Sequence, residues 1–396
     1  MDLFLILCLL ILISSPFIIN LINSGKAEKN AEVKQINLYI SPRFEEIFGA
    51  EMTESLLREF RENNADFQIQ LLKTDQNGIQ PDVLIFDDED INVLAAMGSL
   101  AELNEYTHYD SGARQLAIPL VSFMDLLFYN IEILSAAGFD RPPRTREDFL
   151  NYARTVSGGN AAAGAAISLS PRDKLALSRD IFSWIWASGG NFWLNENKPS
   201  LNAGMSGDFS FLGSLYDGRV LAPGIFDITG EQRLKEFEQG KIAMMIASSR
   251  VIPYLREKMK EGTFDITAIP SSAGRYNIGL SSIYIGINAE SEYPDNAWSF
   301  LVFLAQKAPM FCELFNAVPG VISDIIPGNY AREDPFYSKA WYIFESSNIV
   351  KNFSGKPGAE KYENIFFQEL QVFLRSSRSP QDTIAVIQRR WDETDH

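Results

Sequence analysis

Residues 81–103 read PDVLIFDDEDINVLAAMGSLAEL and carry the strongest fold signal in the chain. Val83 to Phe86 form an unbroken apolar run, which is typical of a strand buried on both faces. The acidic run Asp87 to Asp90 follows, and helical periodicity begins at Ile91. A strand, an acidic loop and a helix in this order predict one unit of an α/β domain with a parallel sheet.

The flanking segments extend the same pattern in both directions. Upstream, Gln35–Ile40 and Phe67–Leu72 read as strands on either side of an amphipathic helix over Glu45–Asn63. Downstream, Thr145 followed by Asp148 forms a capping box that opens another helix. Ala165–Leu169 predicts a further strand. The alternation of strands and helices favours the α/β class throughout.

Composition narrows the possible functions. A chain of 396 residues is long enough for two domains, and its net charge of −16 argues against a nucleic-acid partner. The only cysteines are Cys8 and Cys312, and the only histidines are His108 and His396. These numbers disfavour a zinc site and histidine-based catalysis. We therefore expect no metal, no cofactor and no catalytic residue.

The N-terminus predicts export from the cytoplasm. Leu3–Ile13 is an unbroken apolar run, and small residues before position 28 allow signal-peptide cleavage after Ala27. An uncleaved anchor is the alternative, because Leu3–Ile22 has the ~20 residues that span a bilayer. A buried helix is a third interpretation. We assign residues 1–27 to a signal peptide or N-terminal membrane anchor, with the remaining chain periplasmic or extracytoplasmic.

Five further segments, taken in order with residues 81–103, carry a resemblance to a known family. They are IPLVSFMDLLFYN (118–130), ILSAAGFDRPPRTREDFL (133–150), WIWASGGNF (184–192), FEQGKIAMMI (237–246) and IGLSSIYIGINAESEYPDNAWSFLVFL (278–304). Over roughly Gln35–Glu393 the chain resembles extracellular solute-binding protein family 1, the maltose-binding-protein-like receptors of ABC importers. The resemblance rests on the order of weak motifs.

The resemblance implies a two-lobed periplasmic-binding-protein fold of the type II-like class, with the lobes joined by a multi-strand hinge and a ligand cleft between them. The implied N-terminal lobe comprises residues 31–121 and 285–330. The C-terminal lobe comprises residues 122–284 and 331–396. The chain is expected to cross between the lobes near Val121–Asp125, Leu280–Tyr284 and Asn329–Pro335.

A sugar site needs aromatic rings for C–H faces and polar side chains for hydroxyls. Twelve residues near the implied crossings and strand ends are candidate ligand contacts: Arg43, Phe44, Asp87, Phe123, Asp125, Trp186, Asn191, Ser249, Arg250, Ser282, Tyr284 and Tyr362. Each also has a structural interpretation, such as helix cap, core aromatic or turn. Of the two tryptophans on one helix, we assign Trp184 to the core. Many family members have a tryptophan where this chain has Arg250, so a sugar is not expected to stack at this position, and the arginine instead offers a bidentate bond to a hydroxyl pair, a carboxylate or a phosphate.

The resemblance implies a monomeric receptor that binds a small polar ligand, a sugar or oligosaccharide, and delivers it to the membrane subunits of an ABC transporter. Receptors of the same fold for a phosphorylated polyol, a polyamine or a peptide stay open as alternatives. Two other classes also stay open: a glycoside-active enzyme with paired carboxylates and a membrane-anchored sensor.

Overall fold

The computed structural model describes residues 33–72, 79–104, 115–159, 161–193, 198–271, 276–320, 333–350, 353 and 358–394. The predicted signal peptide or anchor, residues 1–27, lies outside these residues, as do residues 329–332 of the predicted third crossing. In the described part of the chain, no helix combines the length and apolarity that a membrane span requires.

The first strands form the predicted parallel α/β unit. β1 (Lys34–Ile40) pairs in parallel with β2 (Phe67–Leu72) on one side and with β3 (Val83–Asp87) on the other. Helix α1 (Pro42–Asn63) connects β1 to β2 and is interrupted at Gly49, whose φ of +67° is accessible to glycine at little cost. The kink lets the first turn of α1 take a different direction from the rest of the helix.

Strand β4 (Ile118–Asn130) continues through both halves of the molecule. Up to Met124 it pairs antiparallel with β8 (Leu280–Ile287), which itself pairs with β3. From Asp125 onward it pairs with β5 (Met244–Ser248), and from residue 127 also with β6 (Phe264–Thr267). The change of partners between residues 124 and 125 lies inside the segment that the sequence predicts as the first crossing.

The strand order is β2-β1-β3-β8-β4-β5, with β6 and β9 (Val318–Pro319) added beside β4. A separate parallel pair consists of β7 (Tyr276–Ile278) and β10 (Ser347–Ile349). The strand expected over Ala165–Leu169 is wrong, because its residues form only isolated bridges at Ala165 and Ala166.

The other helices cover the faces of these sheets. They are α2 (Asp88–Ala96), α3 (Ile131–Ala136), α4 (Arg146–Gly158), α5 (Lys174–Ala187), α6 (Ser206–Asp217), α7 (Gly230–Glu238), α8 (Ile252–Lys258), α9 (Pro294–Gln306), α10 (Ala308–Phe315), α11 (Pro335–Glu345), α12 (Ala359–Arg375) and α13 (Pro380–Glu393). Helix α4 begins at the predicted capping box. The backbone N–H of Asp148 donates to the Thr145 hydroxyl, and the Thr145 N–H donates to the Asp148 carboxylate.

Separate hydrophobic cores define two lobes. In the first lobe, β1–β3, β8, α1, α9 and α10 pack around one core. The second lobe has a core on each face of its sheet, because strand residues point alternately to opposite faces. Leu127 and Tyr129 of β4 pack toward α5 and α12, whereas Leu126 and Phe128 pack toward α8 and α11. The two-lobed α/β fold is confirmed, while the lobe boundaries near residues 121 and 284 stay a prediction.

Candidate functional site

Polar and aromatic side chains converge where β4 changes partners. They come from the first turns of α1 and α2, the end of β3, the middle of β4, the residues after β5 and the first half of β8. In α/β folds, ligands bind beyond the carboxyl ends of strands such as β3 and β5. We call this set the junction cluster: Phe44, Asp87, Asp88, Ser122, Phe123, Ser249, Arg250, Ser282 and Tyr284.

Asp88 is the most connected carboxyl group of the junction cluster. The backbone N–H of Ser282 donates to its Oδ2 at 2.5 Å, and the Tyr284 hydroxyl donates to its Oδ1 at 3.2 Å. Burial raises the pKa of Asp88 to about 7, against the opposing effect of these hydrogen bonds and of Arg250. Burial and the Asp88 charge also raise the pKa of Tyr284. Near neutral pH, Asp88 is therefore a group that either accepts or donates hydrogen bonds.

Serine hydroxyls tie the crossing strands together. The Ser122 Oγ on β4 and the Ser282 Oγ on β8 lie 2.7 Å apart and share a hydrogen bond. The backbone N–H of Met124 donates to the Ser249 Oγ at 3.2 Å. All three serines are buried. These bonds fix the relative position of β4, β8 and the end of β5 at the junction.

Arg250 lies over two aromatic rings. Its guanidinium carbon is 4.4 Å from the centroid of Phe123 and 5.4 Å from that of Phe44. Both rings are fully buried in the core of the first lobe. The guanidinium therefore interacts with two aromatic faces and also acts electrostatically on the Asp88 carboxyl group.

A second group of charges surrounds Asp125, the residue at which β4 takes up β5. The Ser183 hydroxyl on α5 donates to Asp125 Oδ2 at 3.3 Å. The Arg179 Nε–H and the Ser168 backbone N–H donate to the neighbouring Asp180. Burial raises the pKa of Asp125 to about 7 and that of Asp180 to about 6, although Arg179 opposes both shifts. The carboxyl groups of Asp125 and Asp180 therefore already accept hydrogen bonds from other groups of the protein.

Trp186 packs against the backbone at Gly279, between β7 and β8. A Cβ at Gly279 would lie 2.0 Å from Cζ3 of the indole, so only glycine fits beside the ring in this position. The ring is 4% exposed, and its Nε1–H has no hydrogen-bond partner among the described residues. A buried donor without a partner is costly and suits an acceptor from a ligand.

Besides Asp125 and Trp186, described above, the predicted contacts Asn191 and Tyr362 lie outside the junction cluster. The Asn191 side chain accepts a hydrogen bond from the backbone N–H of Trp193, as in a turn. Tyr362 is buried in a core of the second lobe, where its ring meets Trp391 and its carbonyl accepts the Trp391 indole N–H. The structure describes the backbone of Arg43 within α1 but not its side chain.

Several residues that shape the site are not among the predicted contacts: Asp88, Ser122, Arg179, Asp180 and Gly279. The acidic run after β3 indicates a carboxylate at the strand end, but the one that bonds across the junction is Asp88 and not the predicted Asp87. Asp87 is the last residue of β3, whereas Asp88 begins α2 and accepts the bonds from β8. Nothing local in the sequence shows which of two adjacent carboxylates turns toward a strand far along the chain.

The junction cluster is suited to reversible binding of a polar molecule. It contains hydroxyl, carboxyl and guanidinium groups beside aromatic rings, which together match hydroxyls and C–H faces. In the described ranges, no group of histidine, cysteine and carboxylate side chains is arranged to hold a metal ion.

Sequence comparison points to one family. The profile of the family described as bacterial extracellular solute-binding protein matches residues 63–310. A protein of Brucella abortus (strain 2308) that carries a provisional binding-protein name is 22% identical over 197 residues, which are 48% of this chain and 46% of the relative. The chain thus spans about half the length of the curated relatives it matches.

Structural comparison covers most of the chain. The sugar-binding protein MalE of Xanthomonas citri superposes with a TM-score of 0.73 at 14% identity, over 91% of this chain and 97% of that one. The cyclic alpha-maltosyl-1,6-maltose binding protein of Arthrobacter globiformis gives 0.72 at 15% identity, with coverage of 91% and 98%. An ABC substrate-binding protein of Listeria monocytogenes in complex with cycloalternan gives 0.69 at 15% identity, with coverage of 91% and 99%. At these identities the likeness establishes the two-lobed fold alone.

Proposed function

Since this chain belongs to the bacterial extracellular solute-binding protein family, we propose that it captures a sugar or an oligosaccharide between its two lobes. The bound sugar is delivered to the membrane subunits of an ABC importer. The protein acts as a monomer outside the cytoplasm. Residues 1–27 serve as a cleaved signal or as a membrane tether.

The observation that carries this proposal is the junction cluster. Arg250 follows β5 of the second lobe, Phe44 and Asp88 belong to the first lobe, and Ser122 lies on β4, which joins the lobes, with Ser282 beside it on β8. A solute bound at this place is contacted by groups from both lobes. Such a solute stabilises the closed arrangement selectively, which is the requirement for a receptor that closes on its ligand.

Closure about the hinge follows from the strand connections. β4 runs from one lobe to the other without interruption, so small changes of φ and ψ near residues 124 and 125 rotate the lobes as bodies. Closure removes water from the hydrogen bonds to the solute and strengthens them in the lower dielectric. Binding of the solute therefore increases the fraction of molecules in the closed arrangement.

A sugar is the ligand class that the site chemistry and the structural neighbours support together. The neighbours from Xanthomonas citri, Arthrobacter globiformis and Listeria monocytogenes are a sugar-binding protein, a cyclic maltosyl-maltose binding protein and a cycloalternan complex. Arg250 favours a second class, a phosphorylated polyol, because a guanidinium forms bidentate bonds with a phosphate. We expect binding without turnover, because the family consists of binding proteins.

Isothermal titration calorimetry with neutral oligosaccharides and phosphorylated polyols tests the proposal. The panel is guided by mass spectrometry of small molecules that co-purify with the protein. One sugar is expected to bind with one site per chain, and Arg250→Ala is expected to weaken it while Arg58→Ala, on the exposed face of α1, leaves it unchanged. Failure of every sugar and polyol to bind would refute the proposal. Cleavage of a bound oligosaccharide would support the enzyme alternative.

A further inference from the structure

We infer that Arg250 is an interlobe latch that raises the closed population of the protein when no solute is bound. The inference rests on the proposed hinge-closing receptor and concerns the regulation of the same site. Arg250 is anchored in one lobe, whereas its guanidinium lies on side chains of the other.

The backbone of Arg250 is fixed to the second lobe. Its N–H donates to the Ser248 hydroxyl at 3.4 Å, directly after β5. Ala247 before it and Ile252 after it are buried in the core that packs around α8. The Cα of Arg250 therefore moves with the second lobe in any rotation about the hinge.

The guanidinium of Arg250 is surrounded by groups of the first lobe. Phe44, at 5.4 Å, lies in the first turn of α1 and is fully buried in the first-lobe core. Phe123, at 4.4 Å, packs in the same core although it lies on β4. The positive charge also acts on the Asp88 carboxyl. The guanidinium gains cation–π energy from Phe44 and Coulomb energy from Asp88 that it has only while the lobes are together.

Opening the hinge separates Arg250 from Phe44 without breaking a strand. Cation–π contacts of this partly desolvated kind shift an equilibrium by about fivefold to thirtyfold. The latch therefore raises the ratio of closed to open molecules by about that factor. It also keeps a cation on the ring faces that a sugar would otherwise use for stacking. The solute must then bind beside the guanidinium or displace it.

Small-angle X-ray scattering of solute-free protein tests the latch. Bound solute is removed by unfolding and refolding, and its loss is checked by mass spectrometry. Arg250→Ala is expected to raise the radius of gyration, Arg250→Lys to raise it less, and the surface control Arg58→Ala to leave it unchanged. Phe44→Leu removes the ring and keeps Arg250, so it should open the protein as well. Thermal unfolding checks that each variant is folded.

The double variant Arg250→Ala/Phe44→Leu should open the protein no further than Arg250→Ala alone. The latch would be overturned if Arg250→Ala had the same radius of gyration as the wild type. It would also be overturned if the increases caused by Arg250→Ala and Phe44→Leu added up in the double variant. Because this test needs no ligand, it is independent of calorimetry. A protein that opens on Arg250→Ala but binds no sugar or polyol would retain the latch and lose the proposed function.

Discussion

Gly279→Ala tests the packing of Trp186 at the second crossing. The added Cβ would lie 2.0 Å from Cζ3 and 2.6 Å from Cε3 of the indole. Non-bonded carbon atoms normally approach to about 3.5–4.0 Å, so the ring or the strand must move by roughly 1.5–2 Å. Overpacking of this kind costs about 1–3 kcal/mol. For a lobe of this size, that corresponds to a fall in Tm of about 2–12 °C.

Thermal and urea unfolding of four proteins measure the effect: wild type, Gly279→Ala, Trp186→Leu and the double variant. If the ring causes the strain, the double variant is as stable as Trp186→Leu to within about 0.5 kcal/mol. Gly207→Ala is a matched control, because a Cβ there meets nothing within 4 Å.

An unchanged Tm for Gly279→Ala, or additive losses in the double variant, would show that the indole does not abut Gly279. The ring would then lie elsewhere, and its N–H would not be buried beside Gly279.

The remaining predictions concern binding, pH and the hinge hydroxyls. Arg250→Ala and Trp186→Ala should each weaken solute binding by about 1–3 kcal/mol in calorimetry and leave the fold intact. Unchanged affinity in both variants would show that the solute binds elsewhere. Burial raises the pKa of Asp125 to about 7, above the unfolded value near 3.9. Its protonated form therefore favours folding, and that contribution is lost as the pH rises from about 4 to about 7. In urea unfolding at several pH values, Asp125→Asn should not show this loss of unfolding free energy. An unfolding free energy that falls with pH as steeply as in the wild type would contradict the burial of Asp125. Ser122→Ala and Ser282→Ala should each lower the unfolding free energy by about 1 kcal/mol, because either change leaves the other buried hydroxyl unpaired. The double variant should therefore lose less than the sum of the two single losses. Strictly additive losses would show that the two hydroxyls are not hydrogen-bonded to each other.

Local signals in the sequence predict the elements well. The apolar run at Val83–Phe86 is a buried strand, and the Thr145–Asp148 capping box opens α4. Gly138 follows a short apolar helix and has a φ of +88° just beyond the end of α3, the conformation that glycine adopts most readily at a helix end. These features depend on neighbouring residues alone, so their physics is contained in short stretches of sequence.

The site depends on contacts between distant segments, which a single sequence does not reveal. Asp88 bonds to Ser282 across 194 positions, and nothing near either residue indicates the other. The position of Arg250 over the rings of Phe44 and Phe123 also depends on segments that lie far apart in the chain. Aromatic residues were assigned to the cleft by type, but burial of Tyr362 is decided by α13 packing against α12.

The central claim is that two lobes close over a solute held at the junction cluster. Pulsed electron paramagnetic resonance measures this through spin labels at Glu54→Cys and Thr155→Cys, which are exposed on α1 and α4, in a chain with Cys8 and Cys312 replaced by alanine. Without solute, we expect a long and a short distance population. Saturation with the solute identified by calorimetry should leave only the short one. A distance distribution that stays the same at saturation would contradict the account.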